Sequence, residues 1–159
     1  MKSEKSKLRI LEIFTPERQT GNLGERTAVN FLRKKGYKIL EKNYVVSNSE
    51  IDIIAFKENT TAFVEVKTRS MTSLGKIQDR PASSVTPEKQ RKIIKAANHY
   101  ARLHPSDSRL RLDIIEVYLE DRKLGKKVKE IKHLKGAFDL NTAYDRAYFY
   151  KHKKEGSNL

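Results

Sequence analysis

The sequence EIDIIAFKENTTAFVEVKTRS, residues 50–70, predicts two β-strands joined by a short polar connection. Successive side chains of a strand point to opposite faces of a sheet, so alternating apolar residues mark a buried face. In the first strand we expect that face to comprise Ile51, Ile53 and Ala55. In the second strand it comprises Ala62, Val64, Val66 and Thr68, opposite a face made of Phe63, Glu65, Lys67 and Arg69. The stretch therefore predicts a hairpin with one apolar face and one face rich in charge.

A hairpin with this pattern brings two carboxylates together. A two- or four-residue connection around Glu58-Asn59 places Asp52 opposite Glu65, with Lys67 two residues further on, although a two-residue shift of the register stays open. Opposed like charges destabilise a sheet, and a hard divalent cation with oxygen ligands would offset that repulsion. The alternative is an ordinary solvent-exposed face whose ion pairs contribute little to stability.

A helix is predicted before the hairpin, over TGNLGERTAVNFLRKKGY, residues 20–37. Thr20 or Asn22 is the expected cap, and Gly36 after a basic last turn is the expected end. Glu25 lies on the same helical stripe as Ala28, Val29 and Leu32, so a carboxylate falls on the side that should face the core. The alternative is that Glu25 only complements the helix dipole in the first turn.

The remaining sequence completes a mixed α/β or α+β order. Thr86-Pro87-Glu88 is a strong helix start, and that helix is expected to run to Leu103. Further strands are predicted at 37–46, 109–120 and 123–134, with a loop at 71–85. The order is helix, three strands, helix, one or two strands. The chain then divides into an N-terminal extension (1–19), one domain (20–138) and a basic, Tyr-rich tail (139–159) that either docks on the core or binds nucleic acid.

The composition limits the classes of partner. The 159 residues include 34 Lys plus Arg against 20 Asp plus Glu, a net charge of +14. Such an excess favours nucleic acid or an anionic surface, the alternative being a soluble protein with many exposed lysines. Because there is no cysteine, disulfides and thiolate zinc sites are excluded. With no apolar run long enough to span a bilayer and no signal-peptide pattern, we expect a cytoplasmic protein without membrane contact.

The spacing D-x₁₂-E-x-K, Asp52 to Glu65 to Lys67, resembles the core of PD-(D/E)xK nucleases. A wider set of segments resembles the YraN-like family of bacterial proteins over about residues 21–138: GNLGERTAVNFLRKKGYKILEKNY, EIDIIAF, FVEVKTRS, SSVTPEKQRKIIKAANHYA and RLDIIEV. That family is uncharacterised in function and similar in fold to archaeal Holliday-junction resolvases and restriction endonucleases. The resemblance implies a restriction-endonuclease-like α/β domain of three layers, with a central mixed sheet flanked by helices.

The resemblance also implies roles for particular residues. The catalytic positions would be Glu25, Asp52, Glu65 and Lys67, of which the three carboxylates would bind Mg²⁺ or Mn²⁺. The nucleic-acid-binding positions would be Thr68, Arg69, Lys89 and Gln90. Lys89 has the alternative of a lysine whose stem only covers apolar surface. Arg111 and Asp113 match the family's next strand, and for them we favour a structural ion pair.

The expected function is that of a metal-dependent endonuclease that hydrolyses phosphodiesters, with DNA favoured over RNA and with branched or recombining DNA among the candidate substrates. The alternative is a nucleic-acid-binding module of the same fold without catalysis, and a third is a structural adaptor whose acids only form ion pairs. Related junction resolvases work as dimers, which adds a homodimer to the expectations.

Overall fold

A computed structural model describes residues 16–71, 85–123 and 125–139, with side chains in the first helix from Gln19 onward. The elements in chain order are α1 (Pro16–Lys34), β1 (Lys38–Val46), β2 (Ser49–Lys57), β3 (Thr60–Met71), α2 (Pro87–Leu103), β4 (Arg109–Arg122) and β5 (Gly125–Phe138). The predicted order of elements is confirmed. Most of the predicted 71–85 loop and almost all of the tail, including its tyrosines, lie outside the described residues.

The five strands form one mixed sheet in the order β1-β2-β3-β4-β5. β3 and β4 are parallel, and the other neighbouring strands are antiparallel. A parallel pair needs a crossover connection, and α2 lies in the segment that makes it. Because α1 packs on one face of the sheet and α2 on the other, the domain is the three-layer, restriction-endonuclease-like α/β fold that the family resemblance implied.

Each helix covers its own hydrophobic core. The core under α1 includes Ala28, Val29, Leu32, Ile53, Val64, Ile115 and Val117. The core under α2 includes Ile51, Ile54, Phe63, Ile93, Ala97, Tyr100, Leu112 and Ile114. Within the described residues, neither helix is both long and apolar enough to cross a bilayer.

The start of α1 was predicted wrongly and its end correctly. The helix begins at Pro16, so Thr20 and Asn22 lie inside it and do not cap it. Proline fits the first turn because it has no N–H to leave unpaired there. At the other end Gly36 adopts a φ of 82°, and the Gly36 and Tyr37 amides donate to the carbonyls of Arg33 and Leu32. This is a Schellman motif, in which glycine takes the left-handed position without strain.

α1 comes very close to β3 at one glycine. A Cβ atom at Gly24 would overlap the Thr68 hydroxyl and would lie 3.1 Å from the Thr68 Cβ. The absence of a side chain therefore sets the distance between α1 and β3. Glu25, the next residue of the helix, is held beside the sheet by this contact.

Candidate active site

The connection between β2 and β3 is the predicted two-residue turn. Glu58 and Asn59 have φ values of 48° and 54°, which is typical of a type I′ hairpin turn. Ile54 lies opposite Phe63, which is the offset that also underlies the predicted position of Asp52 opposite Glu65. The register is therefore the predicted one, but the paired ladder ends at Ile53 and Val64, one step before Asp52 and Glu65, which are not a ladder pair.

Asp52 interrupts the backbone pairing of β2 with its neighbours, although β2 itself continues through it. Its Oδ2 accepts a 2.6 Å hydrogen bond from the Val66 amide, so a side chain does what a backbone carbonyl would do in a regular ladder. On the other side of β2, Asn43 has a φ of 51°, between two regularly paired neighbours. The interruption also changes the alternation, because Ile51 packs under α2 while Ile53 packs under α1. The prediction that both share one face is therefore wrong.

The surroundings of Asp52 oppose its negative charge. Burial and the nearby Glu65 carboxylate raise the pKa of Asp52 to about 7, against the lowering effect of the Val66 hydrogen bond. A carboxyl of this kind changes its protonation state close to neutral pH. Perturbation of this size is common at functional sites, although structural networks produce it too.

Glu65 is only 3% exposed and lies between two lysines. Lys67 Nζ donates to its Oε1 at 2.8 Å, and Lys89 Nζ is 3.3 Å from its Oε2. The Lys89 contact lies outside hydrogen-bonding geometry, so Oε2 is buried without a hydrogen-bond donor. A buried carboxylate oxygen with an unused lone pair is a position from which a ligand can be bound.

Glu25 is half-buried on α1 and senses the same charges. Burial raises its pKa, and so do Glu50 and Glu65, while a hydrogen bond with the Asn43 side chain lowers it. Yet in residues 16–71, 85–123 and 125–139 no group of three or more His, Asp or Glu side chains is arranged to hold a metal ion. The three predicted metal ligands are thus neighbours that repel one another, without forming a ready set of three ligands.

The predicted nucleic-acid-binding residues have different surroundings. Lys89 reaches Glu65, and Gln90 Nε2 donates to the Val85 carbonyl at 2.9 Å. Arg69 is half-buried on the Lys67 side of β3, and its Nε has no hydrogen-bond partner. Thr68 lies on the other side of β3, against α1. Lys89 therefore contacts Glu65 directly, whereas Thr68 lies on the α1 side of the sheet, against the residue that precedes Glu25.

Arg111 and Asp113 form the structural ion pair that we favoured from the sequence. Arg111 Nε and Nη2 each donate to the fully buried Asp113 carboxylate at 2.8 Å, and His133 Nε2 also lies 2.8 Å from it. Burial opposes the charge, but the hydrogen bonds from Arg111, His133 and the Gly136 amide outweigh it and lower the pKa of Asp113 to about 2. Sequence reasoning missed His133 and Asn43, since neither belongs to a periodic pattern or a spaced motif.

Comparison with known proteins identifies the family. A family model described as "Uncharacterised protein family UPF0102" matches residues 24–117, a span that contains Glu25, Asp52, Glu65, Lys67 and Lys89. The chain belongs to this family. It is 46% identical over 121 residues to a UPF0102 protein of Chlorobium phaeobacteroides, covering 74% of this chain and 92% of the relative. It is 42% identical over 123 residues to a UPF0102 protein of Caldanaerobacter subterraneus, covering 77% and 96% of the two chains.

Proposed function

We propose that this UPF0102 protein is a metal-dependent nuclease that hydrolyses phosphodiester bonds in DNA. One observation carries the proposal. Two carboxylates, Asp52 and Glu65, are held together beside the ammonium groups of Lys67 and Lys89, and burial with mutual repulsion raises the pKa of Asp52 to about 7. In contrast, the buried Asp113 carboxylate of the same sheet is paired with Arg111, and its pKa is lowered to about 2.

The available donors fit a hard cation. Asp52 has one carboxylate oxygen that does not receive the Val66 hydrogen bond, and Glu65 has its unpaired Oε2. Both are the kind of oxygen ligand that Mg²⁺ and Mn²⁺ bind, and Glu25 lies close enough to affect their charge. When bound, such a cation would activate a water molecule and neutralise charge on a phosphate. In this proposal Asp52 and Glu65 are ligands, and Glu25 is a ligand or orients one.

In this proposal the ammonium groups of Lys67 and Lys89 contact the substrate phosphate. The Lys67 and Lys89 side chains are 28% and 34% exposed, so their ammonium groups are open to a substrate from outside. Each has three N–H donors, and a phosphate bound here would accept hydrogen bonds from them. Donors placed where negative charge increases during the reaction stabilise the transition state. Their ion pairs with Glu65 hold both ammonium groups at the site before a substrate arrives.

The test is hydrolysis of labelled DNA by the wild type in Mg²⁺ and in Mn²⁺, on duplex, single-stranded and branched forms. Loss of a metal ligand or of the lysine should reduce the rate by about 100-fold or more in Glu65→Gln and Lys67→Met. Glu58→Gln, at an exposed carboxylate of the hairpin turn, is the matched control and should keep wild-type activity. Absence of cleavage of every DNA form in both metals, or equal activity in all variants, would overturn the proposal.

A second candidate is a nucleic-acid-binding module without catalysis. It is favoured by the ion pairs of Glu65, since two lysines already balance its charge, and by the absence of a ready three-ligand group in the described residues. Calorimetric titration with Mn²⁺ separates the candidates. Binding in the wild type that is lost in Glu65→Gln supports the nuclease, whereas salt-dependent DNA binding without Mn²⁺ affinity, even with DNA present, supports the module.

A further inference from the structure

A polar groove between α1 and β1 leads to the candidate active site. Its volume is about 510 Å³, and Glu25 and Asp52 are among the residues that line it. Three cationic residues line it as well, Arg26 and Arg33 from α1 and Lys42 from β1. The acidic site and a basic surface therefore share one continuous depression, and α1 contributes residues to both.

The helical side of the groove is a regular stripe. Asn22, Arg26, Asn30 and Arg33 follow one another at spacings of four, four and three residues, so they lie along one face of α1. At 1.5 Å per residue, Arg26 and Arg33 are about 10 Å apart along the helix axis, which is far enough for the two side chains to contact different phosphates of one strand. Asn43, also in the groove, adds a further amide from β1. The stripe therefore presents cationic and amide donors that suit several phosphates of one strand.

The three cationic side chains are available to a ligand. All three residues are exposed, and none forms an ion pair with a carboxylate within the part of the chain that the structure describes. In contrast, Lys67 and Lys89 are already paired with Glu65. Unpaired cations in a concave surface attract polyanions, and arginine, lysine and asparagine side chains are common donors to phosphate oxygens.

We propose that this groove binds the phosphodiester backbone of one nucleic-acid strand and directs it to Asp52. Arg26, Arg33 and Lys42 would hold the phosphates, and the asparagines would donate to their oxygens. The inference rests on the proposed function, to which it adds the path of the substrate. It assigns binding to the α1 side of the site, whereas the sequence indicated positions after Glu65 and at the start of α2.

The first experiment measures how salt weakens binding of a fluorescent single-stranded DNA, without divalent cations, by anisotropy. Each phosphate contact on a single strand contributes about 0.7 to the slope of log affinity against log salt concentration. The triple variant R26A/R33A/K42A should therefore lower the magnitude of that slope by about 2. The control R91A/K95A/R102A removes two arginines and one lysine from exposed positions of α2 and should keep the wild-type slope. Equal slopes in both variants, an unchanged slope in the groove variant, or no binding by the wild type would overturn the inference.

A thiol-protection experiment tests the same groove without removing charge. Since the chain has no cysteine, a single Asn30→Cys in the groove can be followed by its rate of alkylation. Bound DNA should slow that rate, and it should not slow alkylation of Ser106→Cys, an exposed position outside the groove. Equal rates with and without DNA at Asn30→Cys would contradict the proposed path.

Cleavage assays on the same preparations separate this inference from the nuclease proposal. DNA binding that depends on the groove, without cleavage in either metal, would support the proposed path of the strand and contradict the nuclease proposal. Cleavage by R26A/R33A/K42A with an unchanged KM would support the nuclease proposal and contradict the proposed path of the strand.

Discussion

Replacement of Asp52 by asparagine should stabilise the protein, and the gain should grow with pH. Below about pH 4 the carboxyl is protonated in both the folded and the unfolded chain. As the pH rises from the ordinary value of 3.8 to about 7, the unfolded chain loses this proton while the folded chain keeps it. The free energy of unfolding of the wild type therefore falls over this interval. Above about pH 7 this carboxyl is ionised in both states and no longer makes the free energy of unfolding depend on pH. Asparagine is neutral throughout, so Asp52→Asn escapes that loss.

The size of the effect follows from the pKa of about 7. Between about pH 5 and pH 7 the folded chain holds one proton more than the unfolded chain. The free energy of unfolding of the wild type therefore falls by about 2.7 kcal/mol over these two pH units, at 1.36 kcal/mol per unit. Asp52 is only half-buried and shares its repulsion with Glu65, so about half of this, roughly 1.4 kcal/mol, should be measured. The amide oxygen of asparagine keeps an acceptor for the Val66 N–H, so the strand interruption should survive.

The assay is urea unfolding of wild type and Asp52→Asn at about pH 5 and pH 8, followed by circular dichroism. The difference in unfolding free energy between the two proteins should be about 1.4 kcal/mol more in favour of the variant at pH 8. Asp107→Asn, at an exposed carboxylate, is the control and should show no such change. A difference that stays constant with pH, or that favours the wild type at pH 8, would refute the assignment of a repelled carboxylate to this site.

Three further predictions concern stability, each checked by urea unfolding. Gly24→Ala should lower the free energy of unfolding by about 1–3 kcal/mol through overlap with Thr68, and adding Thr68→Ala in the same chain should recover part of this loss. Two independent losses that simply add would contradict the close contact. Arg111→Met should cost about 3–5 kcal/mol because it leaves the Asp113 carboxylate buried without its cation, and a loss below about 1 kcal/mol would argue against this. Asn59→Gly should stabilise by about 0.5 kcal/mol because glycine accepts the positive φ of this turn more easily, and destabilisation would count against the turn type.

The order of the elements could be predicted because its signals are local. Gly36 ends α1, Thr86 caps α2 by accepting from the Lys89 amide, and Pro87 opens that helix, all as the sequence indicated. The start of α1 was missed because Thr20 and Asn22 are good caps in isolation, and the longer helix places them inside it. Propensity at single residues cannot decide between two such starts.

The site could be predicted only in part, for a different physical reason. Alternation and the turn placed Asp52 near Glu65, but the change of face at Ile51 depends on a hydrogen bond between Asp52 and the Val66 amide, which has no periodic signature. Alternation did place Thr68 correctly, on the face opposite Glu65 and against α1, whereas its nucleic-acid-binding role came from the family resemblance and stays a prediction.

The parallel pairing of β3 with β4 has a consequence for the order of folding. The β2–β3 hairpin closes through two residues, so Asp52 and Glu65 can meet early, on the microsecond scale of hairpin formation. Thr60 finds Arg109 only after the whole crossover has closed, which is a slow, long-range step, and α2 carries Lys89 to Glu65 within that crossover. The two acids therefore meet before one of their balancing cations arrives. Lys89→Met should accordingly speed unfolding and leave the refolding rate nearly unchanged, which stopped-flow kinetics would measure.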